Sequence, residues 1–380
     1  MLFNESPSKS NTRINQSICY SIYMNIAMLL SGGVDSSVAL NLLHRQKQSI
    51  TAFYLKIWLE DELSSLGTCP WEEDLSFVRS LCNQLGITLE IISLQQDYHE
   101  KVIATILEQI KQGYTPNPDI LCNQSIKFGA FYDIIGTEFS HVATGHYAQV
   151  EHRDGQSWLR QSPDGIKDQT YFLAMLNQYQ LSRALFPIGH LHKHEVRSYA
   201  HQFNLPTAHR KDSQGICFLG KIPFSEFLEH HLGTRQGKLV EYETGKIAGY
   251  HRGFWFYTLG QRQGIGLSGG PWYVVNKDPQ ENIVFVSRAY QDLAYLRNRC
   301  TIPSFHWISG KPSAYDNVSI KIRHGQQVHT GILSLHDSGA VDLHLHESDQ
   351  GLAPGQYAVV YLERYCLGGG RMSQFLERPS

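Results

Sequence analysis

The sequence predicts an α/β protein in three parts: a parallel-sheet domain over residues 24–220, a small linking domain over 221–301, and a C-terminal β-barrel over 302–380. Three observations predict it. From Met24 to about residue 220, short apolar runs alternate with helical patterns, as a parallel sheet covered by helices requires. Beyond that point apolar and polar residues alternate around Gly, Asn and Asp turns, which is the pattern of hairpins. A Ser/Gly cluster stands directly between the first apolar run and the first helical pattern, where open parallel sheets bind ligands.

The elements follow in order. "NIAMLL" is the first strand, and "SSVALNLLHRQ" places Val38, Ala39, Leu42 and Leu43 on one helical face. "ITAFYLKIW" is the second strand. "WEEDLSFVRSLCNQLG" then spaces Phe77, Val78, Leu81, Cys82 and Leu85 as a helix, with Gly86 as its C-cap. "ITLEIISL" is the third strand, and Val102, Ile103, Ile106, Leu107 and Ile110 mark another helix. "PNPDILCN" (residues 116–123) reads as a rigid loop, because Pro-Asn-Pro suits neither helix nor strand interiors. A helix around Phe128 to Ile135 leads to the strand "HVATG". After residue 220, "KLVEYETGKIAGY", "PWYVVNKDPQENIVFVS", "NVSIKIRHGQQVHTGILSL" and "AVDLHLHESDQGLAPGQYAVVYL" read as hairpins.

A hydrophobic content of 42% with 18% charged residues supplies an ordinary globular core over 380 residues. No run approaches the roughly 20 apolar residues of a membrane span. The net charge of −2 excludes a polycation, so a nucleic-acid site must be local. Charge is unevenly placed: ten Asp/Glu face Arg79 and Lys101 between Glu60 and Glu108, while nine Lys/Arg face four Asp/Glu between Tyr250 and Thr330. The basic late stretch hints at a polyanion, although an uneven solvated surface gives the same count. Seven cysteines without any Cys-x-x-Cys pair speak against a disulfide scaffold or zinc ribbon, and no metal cluster is assigned. The expected location is the reducing cytoplasm, with Cys82 packing a helix face. Residues 1–23 are Ser/Asn-rich and read as a disordered extension or an early start, with Met24 opening the folded part.

"LLSGGVDSSVAL" carries the clearest chemistry. Consecutive glycines let backbone N–H groups converge on an anion, and the helix that follows adds its positive end. Asp35 and Ser36 can cap that helix or orient a metal-bound phosphate. No Gly-Lys-Ser/Thr follows, so this is not a Walker loop. "ATGHYA" sets Gly145 at a strand end with His146 beside it. "DSQGICFLG" puts Cys217 in a glycine-containing loop below Arg210 and Lys211, cations that favour a thiolate.

The string "SGGVDSS" resembles the PP-loop of the ATP pyrophosphatase superfamily, with its adenine nucleotide alpha hydrolase-like fold. Together with "PNPDILCN", "ATGHYA", "KDQTYFL", "DSQGICF" and "YTLGQRQGIGL", it resembles the tRNA 2-thiouridylases over nearly all the chain from Met24. That resemblance implies ATP and Mg²⁺ as cofactors and replacement of the C2 oxygen of a tRNA wobble uridine by sulfur. It implies ATP contacts at Leu29, Leu30, Ser31, Gly32, Gly33, Val34, Asp35, Ser36 and Gly145, with Leu55 near the adenine. Leu29 and Leu30 depart from the Gly-Met or Gly-Leu frequent in the family.

By the same resemblance Cys122 is the nucleophile, Cys217 carries the incoming sulfur as a persulfide, and Asp119 is the general acid/base. Asn117, Pro118 and Asp119 are expected to touch the target base. His146, Lys167, Asp168, Gln169, Arg323, His324 and Gln356 align with other tRNA-contacting positions. The implied partners are the anticodon region of tRNA and a sulfur donor, such as a cysteine desulfurase or a relay protein, with no membrane. The chemistry explains why a rigid segment would present Asp119 and Cys122 together: a poor carbonyl electrophile must be activated and then meet sulfur at fixed geometry. An amide-forming PP-loop synthetase would not need the two cysteines. A non-catalytic RNA-binding protein could lose Asp35 or either cysteine, yet all three are present.

Overall fold

The computed structural model describes residues 24–58, 71–212, 222–289, 297–311, 317–349 and 352–375. Strand β1 (Asn25–Leu29) is central to the first domain. Its side chains alternate between two cores: Ile26 and Met28 enter one, Ala27 and Leu29 the other. Both faces of the sheet are therefore covered, as the unbroken apolar run predicts.

The remaining strands of the first domain are β2 (Ser49–Lys56), β3 (Leu89–Ser93), β4 (His141–Ala143), β5 (Ala148–Arg153), β6 (Gln156–Gln161) and β7 (Ala184–Leu185). The main sheet has the order β3-β2-β1-β4-β7 and is parallel throughout. The chain thus builds outward from β1 to one side, then returns and builds to the other. The reversal falls between β1 and β4, so the loops that leave these two strands share a crevice.

Helix α1 (Val34–Arg45) and the helices Trp71–Leu85 and Lys193–Gln202 cover one face. In Trp71–Leu85 the buried residues are Leu75, Val78, Leu81 and Cys82, a stripe of helical period in which each large apolar side chain contributes about 1.5–3 kcal/mol. Burial pushes the Cys82 thiol up to about 11, which fits a packing role. Gly86 ends the helix at φ +66° while the Ile87 N–H bonds the Cys82 carbonyl at 3.0 Å.

The opposite face corrects the expected loop at residues 116–123. Pro118–Cys122 is helical and runs on through Asn123–Ala130 to Phe131–Ile135. Asn117 is its N-cap, accepting the Ile120 N–H at 3.1 Å, and Pro118 occupies the first turn, where no N–H partner is needed. Pro-Asn-Pro is a helix start here, and the helix expected around Phe128 begins ten residues earlier.

The linking domain contains a four-stranded sheet of Gly237–Glu241, Ile247–His251, Tyr273–Asp278 and Ile283–Ser287, closed over Leu239, Phe254, Trp272 and Val284. The C-terminal strands form a larger sheet that also takes in β5 and β6. Strand β6 pairs antiparallel with Tyr365–Arg371 through Tyr365↔Arg160 and Cys366↔Leu159. The two domains therefore share one sheet and one core, in which Tyr357, Val359 and Tyr361 pack with Ile120 and Cys122. Lys321 reaches across to Asp168 at 3.3 Å, both side chains almost fully buried. No described helix is long and apolar enough to cross a membrane.

Candidate active site

The first loop leaves β1 with Leu29 and Leu30 buried in the cores, so the departure at these positions leaves only their backbone for a ligand. Gly32 has φ +74°, and a Cβ there would lie 2.7 Å from the Asp74 carbonyl. Arg210 locks this turn: its guanidinium donates to the Gly32 carbonyl at 2.7 Å and pairs with Asp74 at 2.7 Å. Ser31 and Ser36 hydroxyls face each other at 3.3 Å, and Ser37 Oγ donates to the Gly33 carbonyl at 2.8 Å. Gly33 caps α1 without a side chain, so Val34, Asp35 and Ser36 open the helix with its positive end facing the loop.

The second loop closes against it. A Cβ on Gly145 would meet the Ser36 backbone nitrogen at 2.6 Å, so only glycine lets the β4 loop lie on the first turn of α1. Gly145→Ala is expected to cost about 1–3 kcal/mol by forcing these backbones apart. Thermal unfolding measures it, and an unchanged midpoint would contradict the contact. Leu55 stands at the far end of β2, partly buried and packed on the adjoining core.

Charge concentrates at this crevice. Asp35 Oδ1 accepts from Lys193 Nζ at 2.7 Å and from Tyr147 OH at 2.9 Å. Lys193 also meets Asp212 Oδ1 at 2.8 Å; Lys167 meets Asp212 Oδ2 at 2.7 Å, and Arg197 bonds the same carboxylate. Burial alone would raise the Asp212 carboxyl, but the hydrogen bonds and charges of Lys167 and Lys193 hold it well below the usual carboxylate range. Lys193 and Arg197 carry no sequence motif. Their place on a helix brought back to α1 is visible only in the fold.

A chain of contacts runs from this crevice to the cysteine helix. The Tyr147 backbone exchanges hydrogen bonds with Gln169, through its N–H to Oε1 at 3.0 Å and its carbonyl from the Gln169 N–H at 2.9 Å. Phe172 N–H then reaches the Gln169 carbonyl, and Asn123 Nδ2 donates to the Phe172 carbonyl at 3.3 Å. Asn123 directly follows Cys122, whose side chain is 1% exposed. Asp119 lies in the first turn of the same helix.

The barrel completes the enclosure. The His324 ring stacks on Phe172 with centroids 4.4 Å apart. Burial lowers its pKa, the Lys321 charge lowers it further, and the Asp168 and Asp119 carboxylates oppose the shift, so Asp119 lies within electrostatic reach. Gly355 packs on Tyr114 and Thr115, and the Thr115 N–H bonds the Pro354 carbonyl at 2.9 Å. Gln356 therefore stands beside the segment leading into Asn117, with its Oε1 buried and without a hydrogen-bond partner among the described residues. Tyr171 OH bonds the Tyr357 carbonyl at 3.0 Å and also engages Asn117.

Contacts connect the first loop with Gly145, Gln169 and the helix of Cys122. The Asp168 carboxylate is turned inward, accepting from the Ser162 N–H, Thr170 Oγ1 and Lys321, so that side chain is spent on joining the domains. Gln169 is likewise engaged by Tyr147, and like Lys167 it is partly exposed, so Asp168 is the buried member of the triple. Arg323 is 48% exposed and contacts Gln327 at 3.0 Å and Asp349 at 3.5 Å. Cys217 lies outside the described residues, although Arg210 and Asp212 just before it are in the crevice.

His146 touches Thr144 Oγ1 at 2.7 Å and packs near Phe186 and Phe128. Burial, then the Lys127 charge, place its pKa well below 6.5. His324 is shifted the same way. Between these lowered values and about 6.5 the unfolded chain binds more protons, so stability should fall as pH drops below about 6.5. Urea midpoints between about pH 7 and about pH 5 measure it, and His146→Gln should flatten the slope. A midpoint that rises on acidification would contradict this environment.

The fold and crevice define an α/β protein whose parallel sheet presents a glycine turn at its switch point, linked by hydrogen bonds to a cysteine helix that packs on the C-terminal barrel. Family models match in sequence along the chain: the tRNA methyl transferase HUP domain over residues 24–221, its PRC-barrel domain over 225–288, and the aminomethyltransferase beta-barrel domain over 297–372. The tRNA-specific 2-thiouridylase MnmA 1 of Bacteroides thetaiotaomicron is 44% identical over 357 residues, covering 92% of this chain and all of that protein. The tRNA-specific 2-thiouridylase MnmA of Porphyromonas gingivalis is 43% identical over 361 residues, covering 92% and 99%. The solved NMN synthetase of Francisella tularensis aligns over 55% of this chain and 73% of that one, with TM-score 0.34 and 18% identity. The chain belongs to the tRNA-specific 2-thiouridylase family.

Proposed function

We propose that the protein replaces O2 of a tRNA wobble uridine with sulfur, using ATP. The observation that carries this reading is the contact chain Asp35–Tyr147–Gln169–Phe172–Asn123, which ties a phosphate-binding turn to the helix of Asp119 and Cys122. A phosphate loop alone fits many enzymes; one coupled to a buried cysteine and a nearby carboxylate fits activation followed by thiol chemistry.

The steps follow from the residues. Uridine O2 attacks the α-phosphorus of ATP, and pyrophosphate leaves. The turn from Ser31 to Ser36 and the α1 N-terminus hold the phosphates. A single carboxylate with substrate phosphates is an ordinary Mg²⁺ environment, and Asp35 at the mouth of the turn fits it; Mg²⁺ there would neutralise phosphate charge. The persulfide sulfur of Cys217 adds to C2, and AMP departs with the original oxygen. The Cys122 thiolate attacks the Sγ of Cys217 and breaks its bond to the outer sulfur, which keeps the electron pair and stays on C2; the Cys122–Cys217 disulfide so formed is reduced by an external dithiol. Asp119 relays the proton. The anticodon base is single-stranded and can be splayed out toward the segment of Asn117, His324 and Gln356.

Release of labelled pyrophosphate from ATP tests this reading. It should depend on added tRNA and be accompanied by AMP. Release without tRNA, or none at all, would contradict it. Arg323→Ala should weaken tRNA binding several-fold and reduce its salt dependence by about one phosphate contact, with ATP binding intact. Equal tRNA affinity across a salt series would remove Arg323 from the interface.

A further inference from the structure

We propose that Lys193, flanked by Lys167 and Arg197, grips the phosphate chain of the nucleotide, and that the Asp212 carboxylate keeps the place of a phosphate group until the nucleotide arrives. This rests on the reading of the first loop as an ATP site and names residues that the loop pattern does not contain.

Three cations from two separate segments, Lys167 in one and Lys193 and Arg197 in the other, converge on the single carboxylate of Asp212. Fastening the helix Lys193–Gln202 to α1 needs only one ion pair, and Lys193–Asp35 at 2.7 Å already supplies it. Three donors aimed at one point instead match a multiply charged oxyanion with oxygens in several directions. They are collected beside the positive end of α1, where additional cations are unfavourable unless an anion joins them.

Burial makes the same point. The Lys193 side chain is 15% exposed, and withdrawing an ammonium from water is costly without anionic partners. Its two partners, Asp35 and Asp212, are each more exposed than it is. Lys193 is therefore the more buried member of both of its ion pairs. Exchange of the Asp212 carboxylate for phosphate leaves every cation paired and returns Asp212 to water. The tetrahedral anion then lies between Lys193 and the turn that Arg210 locks from the other side.

Binding of inorganic pyrophosphate and of ATP to the full chain tests this, with Lys193→Gln, Lys193→Arg and Asp212→Asn alongside the unaltered protein. Lys193→Gln should weaken both ligands about tenfold or more, while adenosine binds as before. Lys193→Arg should recover most of the loss. Asp212→Asn should tighten pyrophosphate several-fold, because the competing carboxylate is gone; a merely structural Asp212 would give no gain. Undiminished pyrophosphate binding by a folded Lys193→Gln, or unchanged or weaker binding by Asp212→Asn, would overturn the inference. Should Lys193→Gln fail to fold, the Asp212→Asn result decides alone. Failure of the unaltered protein to bind ATP would instead reject the ATP reading itself, and the inference with it.

Discussion

Cys122→Ser and Cys217→Ser are each expected to abolish thiolation of tRNA while leaving ATP and tRNA binding intact. The two losses should differ in kind. Cys217→Ser should accept no labelled sulfur, because the thiol proposed to carry it is gone. Cys122→Ser should load sulfur on Cys217 and fail to deliver it. Cys122 is buried in the core shared with the barrel, so its replacement places a hydroxyl among apolar groups at a cost of about 1–3 kcal/mol. A thermal melt must therefore accompany the assay, with Cys122→Ala as the variant that buries no hydroxyl. Cys82 and Cys300 are buried in cores other than that of Cys122, and their replacement should spare transfer. Label accumulating on Cys122 when Cys217 is absent, or full thiolation by either variant, would contradict the assignment.

Asp35→Ala should lower adenylation by about 10²–10³-fold with tRNA affinity largely unchanged. Asp35 is the carboxylate at the mouth of the turn, and it also fixes Lys193 and Tyr147. Lys193 retains Asp212 in the variant, so the fold should survive. Asp35→Asn keeps the shape and the Tyr147 contact and removes only the charge. Equal defects in both variants point to charge, whereas a defect in alanine alone points to positioning. Normal AMP formation by Asp35→Ala would remove this loop from the chemistry.

The first loop was legible in the sequence as a strand-to-helix turn because its signal is local. Ser31 to Ser36 follow an apolar run and open a helix, which is enough to place an anion site on a parallel sheet. What escaped was in part a local signal misread and in part distant pairing. Asn117-Pro118 is a helix-start signal, yet the flanking Pro116 made it read as a loop. The hairpin β5–β6 carries its own mark in Asp154-Gly155, both at positive φ as a type I′ turn requires. Its pairing with Tyr365–Arg371 spans two hundred residues and has no local signature. Lys193 and Arg197 read as an ordinary polar helix face until the sheet order returns that helix to α1. Asp168 shows the reverse: a position that matches a family motif has its carboxylate committed to Lys321 and Thr170.

The central claim is that one chain couples ATP cleavage to exchange of oxygen for sulfur on a tRNA base. Its most direct test incubates unmodified tRNA with the protein, ATP and a persulfide donor, then digests the tRNA and analyses the nucleosides by mass spectrometry alongside the nucleotides. The account requires 2-thiouridine at the wobble position, formed with one AMP for each sulfur inserted and lost when either ATP or the donor is omitted. AMP formed without thiouridine, or a methylated nucleoside in its place, would contradict it.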